Sequence, residues 1–189
     1  DYNQMINKSQ SIVLFSVGLL FCLLYFGLST KSSDRSEIEM SRNLMTESTD
    51  IQALLPAAKK DLSADQLALI SALEATLREE QNDSSKIELT EQLAGKWYDW
   101  GHPEISGYYA EQIAERVNTA AAWSIAGTTY AIGTQRSKED KIRSYCNGRA
   151  IKAFEAAISL EPAVIQHQLN LAICYADNPP ADQPMKGIQ

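Results

Sequence analysis

Three cysteines, at 22, 146 and 174, and two histidines, at 102 and 167, are where metal or nucleophilic chemistry would first be sought in this 189-residue chain. They are too few and too scattered for a four-cysteine zinc site or a disulfide scaffold. A metal role for His167 would need a second ligand one helical turn away, where Ala163 and Leu171 stand. It reads as an ordinary surface histidine. His102 precedes Pro103 at an expected helix start. The carboxylates Glu79 and Glu80 fall at the charge-rich end of a helix, where solvation rather than acid–base work is the simpler role. The aromatic group Trp97, Tyr98, Trp100, Tyr108 and Tyr109 would line a ligand groove or fill the core between two hairpins, and its helical spacing favours the core. There is no glycine-rich phosphate loop after a strand, no Gly-x-Ser-x-Gly elbow and no His-Glu-x-x-His. No catalytic, cofactor-binding or metal-ligating residue is assigned, no cofactor is expected, and the chain is expected not to be an enzyme.

What would position any site is a folded protein with an uneven apolar distribution. Hydrophobic residues make up 44% and charged residues 22% of the chain, the balance of a globular protein rather than a disordered one. A net charge of -7 offers no basic footprint for nucleic acid, so none is expected as a partner. Between Lys8 and Lys31 no Asp, Glu, Lys, Arg or His occurs. As a helix at about 1.5 Å per residue this stretch reaches the roughly 30 Å of a bilayer core, so residues 11–30 are expected to span a membrane. Lys31, Arg35 and Arg42 outnumber Lys8, which taken alone turns the C-terminal part toward the cytoplasm.

From Ser63 onward the pattern is helical with no competing strand alternation. Ser63 with Gln66 forms a capping-box pattern ahead of Leu67, Ile70, Leu73 and Leu77. Ser85 with Glu88 reads as a second box, opening a helix with Leu89, Leu93, Trp97 and Trp100 on one stripe. Gly101 closes it and Pro103 starts the next, which runs to about Asn118 with Tyr109, Ile113, Ala114 and Val117 as its buried side. Further helices are expected from Ala120 to a stop at Gly133, from a cap at Ser137 to Leu160, and from Ala163 to Ala176. Successive antiparallel helical hairpins without strands point to an all-α solenoid. The expected fold is thus all-α, with an N-terminal transmembrane helix followed by an α-solenoid. Its parts are a flank at 1–10, the span at 11–30, a juxtamembrane linker at 31–62, degenerate hairpins at 63–118 and clearer repeats at 119–189, the last incomplete.

Trp123, Gly127 and Tyr130, followed by Ala150, Phe154, Ala157 and Pro162, keep fixed offsets within two consecutive helices, and Leu171, Ala172 and Tyr175 restart the same pattern. On these residues the last seventy or so positions resemble the tetratricopeptide repeat (TPR) family. An earlier, degenerate unit is legible in Leu93, Ala94, Trp97, Gly101, Gly107 and Ala114. Relative to the 34-residue unit, Tyr130 and Ala150 stand about eleven residues too far apart, so the hairpin should be lengthened by charged residues around 136–145.

The resemblance implies a non-catalytic scaffold that binds a peptide or protein in a concave groove lined by first helices, where Ser124, Thr128, Gln168 and Asn170 fall. By repeat position Cys146 and Cys174 come to one edge of the stack, which leaves two readings open: a disulfide between them if the compartment is oxidising, or a small buried Cys174 beside a free Cys146 thiol. The whole organisation is similar to bacterial envelope TPR proteins, including ancillary subunits of the Sec translocon. That likeness implies a single-pass protein of the bacterial inner membrane with a periplasmic soluble part, held to an integral membrane complex through its span. Two alternatives stay open: an assembly or stabilising subunit of a respiratory or photosynthetic complex, and the anchored portion of a longer enzyme.

Overall fold

Capping, glycine stops and prolines divide the chain after residue 50 into helices one at a time. The computed structural model describes residues 50–177, all within one compact unit. Seven helices run in order: α1 Ile51–Lys60, α2 Ala64–Glu79, α3 Asp83–Asp99, α4 Pro103–Val117, α5 Ala120–Arg136, α6 Asp140–Leu160 and α7 Ile165–Asp177. No strand occurs among the described residues. From α2 onward each helix packs on its sequence neighbour, α5 against α6 most extensively, and α5 also touches α7. Such neighbour-on-neighbour stacking is compatible with a helical solenoid.

The anchor is a correction. The span expected at 11–30 lies outside the described residues, and no helix among the described residues is long and apolar enough to cross a membrane. Even the longest, α6 with 21 residues, carries Asp140, Lys141, Arg143, Arg149, Lys152 and Glu155 along its length, too many charges for a bilayer interior. The single-pass anchor and the inner-membrane, periplasmic placement resting on it are not supported. The linker expected at 31–62 is also revised, because residues 51–60 form α1, whose first amide donates to the Asp50 side chain at 2.6 Å.

Most helix ends follow local chemistry. Ser63 and Gln66 make the reciprocal capping box of α2. Pro103 opens α4, and Gly101 turns the chain at φ +86°, a left-handed conformation that glycine tolerates. Two starts differ from expectation. The cap of α3 is Asn82, whose side chain accepts from the Ser85 amide at 3.1 Å, so the helix begins before the expected Ser85 box. Ser137 ends α5, and α6 is capped at Glu139 without a side-chain bond. Gly133 does not stop α5, which continues to Arg136. A Cβ at Gly133 would lie 2.7 Å from Cys146 Sγ, so this glycine serves close packing of α5 on α6. The hairpin they form is long, as its charged insertion suggested, with 17 and 21 residues in its two helices.

Three clusters hold the stack together. Ile70, Leu93, Trp97, Ile105 and Tyr109 join α2, α3 and α4. Ala110, Ala114, Ala126 and Ala153 let α4, α5 and α6 approach through small side chains. Tyr130, Tyr145, Cys146, Ala150, Phe154 and Cys174 join α5, α6 and α7. Gly107 and Gly127 admit the rings of Tyr130 and Phe154, which an added Cβ would meet at 2.6 and 2.8 Å. Of the expected buried side of α4, Tyr109 and Ala114 are buried, whereas Val117 is 38% exposed.

Candidate functional site

Tyr130, Phe154 and Tyr175 take up the space between consecutive helices and leave the opposite sides of α5 and α7 facing a shared cleft. A cavity of about 210 Å³ opens there. Thr128, Ala131, Ile132 and Gln135 of α5 form one wall, Asn170 and Ile173 of α7 the other, and Phe154 of α6 lies at the bottom. Phe154 is held by burial, with 1% of its surface exposed. The lining holds one hydroxyl, two carboxamides and no ionisable side chain. Such a cleft can hydrogen-bond neutral groups and cover apolar surface, but it has no group to move a proton.

Two of the four expected groove residues, Thr128 and Asn170, meet across this cavity. Ser124 lies one turn before Thr128 on α5 and is half-buried outside the lining. Gln168 is exposed, and its amide donates to the Pro162 carbonyl oxygen at 2.9 Å, which ties it to the turn before α7. Ile132, Gln135, Ile173 and Phe154 were missed by sequence reasoning. The first two follow Thr128 at helical spacing and Ile173 follows Asn170 by one turn, a stripe that could have been extended. The role of Phe154 was visible only as core.

Of the two readings of the cysteines, the structure has the free one: Cys146 and Cys174 are unbonded and buried. The Cys146 sulfur lies against Gly133 on α5. Burial pushes the Cys146 thiol up to about 12, with the Glu104 carboxylate adding to the shift. It likewise pushes Cys174 up to about 11, helped by Asp177. Since the thiolate is the nucleophile, a Cys22→Ser chain should show no maleimide labelling of either thiol in the native state near neutral pH, and labelling of both after unfolding. Mass spectrometry of the native protein with one adduct at Cys146 or Cys174 would contradict this packing.

His167 is a correction too. Instead of lying at the surface it is 7% exposed, and its Nδ1 has no hydrogen-bond partner. His102 sits at the α4 N-terminus with Nδ1 3.0 Å from Glu104 Oε1, and its ring meets Trp97 edge-on at 5.4 Å. The aromatic group divides rather than lining one groove. Trp97 and Tyr109 are core, while Tyr98 is 37% exposed beneath the Arg136 guanidinium. At the end of α2 Glu79 is exposed and Glu80 half-buried, and hydrogen bonds from the Asn82 and Gln81 amides hold the Glu80 carboxyl below its usual range.

Carboxylates inside the stack serve as ties between helices. Glu74 on α2 accepts from Lys59 of α1 at 2.6 Å and from the Tyr109 hydroxyl of α4 at 3.1 Å. Glu111 on α4 accepts from the Tyr130 hydroxyl of α5 at 2.8 Å and pairs with Arg149 of α6 at 2.9 Å. Glu155 on α6 accepts from the Tyr175 hydroxyl of α7 at 3.0 Å. Burial pushes the Glu111 carboxyl above its ordinary value, and the opposing Tyr130 hydrogen bond and Arg149 charge do not fully compensate. Arg149 feels the pair differently. Its side chain keeps 34% of its exposure, and its hydrogen bond to Tyr130 and the Glu111 charge outweigh the burial that opposes it, so its charge is favoured.

The chain matches no protein-family model, no curated protein and no solved structure.

Proposed function

We propose that this chain is a non-catalytic scaffold of the TPR kind, an accessory subunit that holds a protein partner in the cleft between α5 and α7. The reading is supported by one coincidence of pattern and place. The residues that resemble TPR first helices lie on α5 and α7, and the cavity opens between those two helices with Thr128 and Asn170 on its opposite walls. Its lining of hydroxyl, carboxamide and apolar groups suits adhesion rather than catalysis. Gly107, Gly127 and Gly133 serve close packing of α5 on α4 and α6.

The test is purification through a C-terminal tag from the native host, with co-purifying proteins identified by mass spectrometry, for the unaltered chain and for Thr128→Trp. The indole would occupy the cavity from an exposed position without entering the core. A stoichiometric protein partner should accompany the unaltered chain and fall by at least about tenfold with the variant, a loss of about 1.4 kcal/mol. Equal recovery with both chains, from a variant that melts normally, would refute the cleft as the docking face.

A further inference from the structure

Resting on that reading, we infer that the cleft takes an uncharged peptide segment by swallowing one large apolar side chain of it, and that it discriminates against both acidic and basic ligands. The cavity measures about 210 Å³. That is below the roughly 300–1,000 Å³ of small-molecule sites. It is a place for a side chain rather than for a cofactor.

Chemistry narrows the ligand further. A carboxylate entering the cavity would find no Lys, Arg or His in its lining, and a cation would find no Asp or Glu. Either would be desolvated without a counter-charge. Apolar surface continues out of the cavity along α7, where Ile165, Leu169 and Ile173 stand at successive turns with 75%, 52% and 43% exposure. Ile125, 62% exposed, extends it on α5 one turn from Thr128. Three large side chains in a row on one helix face make a stripe, not scattered surface residues. Beside it the Thr128 hydroxyl and the Gln135 carboxamide have no side-chain hydrogen bond within the described residues. They are free to satisfy the backbone groups of an incoming segment, which must be paired if covered.

The test is selection of a random displayed peptide library on the full chain, followed by titration of the enriched sequences as synthetic peptides. Enriched peptides should share a Leu, Ile, Met or Phe flanked by uncharged residues. Their Kd should change by less than about twofold between roughly 0.05 and 0.5 M salt. Thr128→Trp and Ile173→Glu, each checked for an unchanged melting curve, should weaken binding by at least about tenfold. Enrichment of acidic or basic peptides, a steep salt dependence, insensitivity to both variants, or no enrichment would each overturn the inference. So would a concentration-dependent dimer abolished by Thr128→Trp, since a second copy would then be the occupant. If the co-purified partner still depends on Thr128 while selected ligands are charged, the scaffold reading stands and the ligand class alone fails.

Discussion

Replacing Phe154 by Ala is expected to destabilise the protein by about 3–5 kcal/mol, the range for truncating a fully buried ring. Only 1% of Phe154 is exposed, and its ring lies so close to α5 that a Cβ at Gly127 would meet it at 2.8 Å. Removing the ring takes away the contact that sets the α5–α6 distance and the bottom of the cleft together. For a chain of this size about 2–4 °C is lost per kcal/mol, so the melting temperature should fall by roughly 10 °C. A loss below about 1 kcal/mol would show that the ring is not the packing centre of this hairpin. The reciprocal change, Gly127→Ala, gains about 1 kcal/mol of helix propensity but forces a methyl into the ring, which typically costs about 1–3 kcal/mol. In a Phe154→Leu background the clash is relieved. The two substitutions should therefore couple in a double-mutant cycle by more than about 0.5 kcal/mol, beyond the scatter seen for independent sites.

Glu111→Ala should cost about 3 kcal/mol. The carboxylate is the common acceptor for Tyr130 and Arg149, so its removal strands a buried hydroxyl and a half-buried guanidinium at once. Breaking a fully buried pair costs about 3–5 kcal/mol, and the partial exposure of Arg149 places this one at the low end. Glu111→Gln keeps an acceptor for Tyr130 and should lose less. The pH dependence has a definite sign. Burial raises the Glu111 carboxyl above its ordinary 4.5, so in the window above that value the native state holds more proton than the unfolded one. Stability from this group therefore falls as pH rises through the window, and Glu111→Gln should remove that slope. Urea melts at a series of pH values read it directly. A wild-type curve no steeper than that of Glu111→Gln would mean that the carboxyl is not raised.

Much of the stack was legible because helices announce themselves locally. The Ser63–Gln66 box, the Gly101–Pro103 stop and start, and the i, i+3, i+4 apolar stripes all act within a turn or two. The positions of Gly127, Tyr130, Ala150, Phe154 and Ala157 were legible as a packing pattern for the same reason, and so was the longer α5–α6 hairpin. Where local signals competed, reading failed. Gly133 has the chemistry of a helix stop, but close approach of Cys146 gives it another use. Ser85 has the pattern of a cap, but Asn82 stands earlier and holds the Ser85 amide. The apolar run at 11–30 lies outside the described residues, and none of the described helices shares its character.

By itself the sequence determined that the described chain is helical, where most of its helices begin and end, and which aromatic and small residues pack between them. Thr128 and Asn170 were already candidates, because position along a helix is a local property. Only the tertiary structure decided what meets what. It placed Phe154 beneath the cleft, brought Glu111, Tyr130 and Arg149 from three helices to one point, buried His167, and turned Cys146 toward Gly133. Hydrogen bonds within a helix join residues four apart, so sequence encodes them directly. The rotation of one helix against the next is set by many weak contacts between distant residues, and it becomes definite only when all the helices are packed.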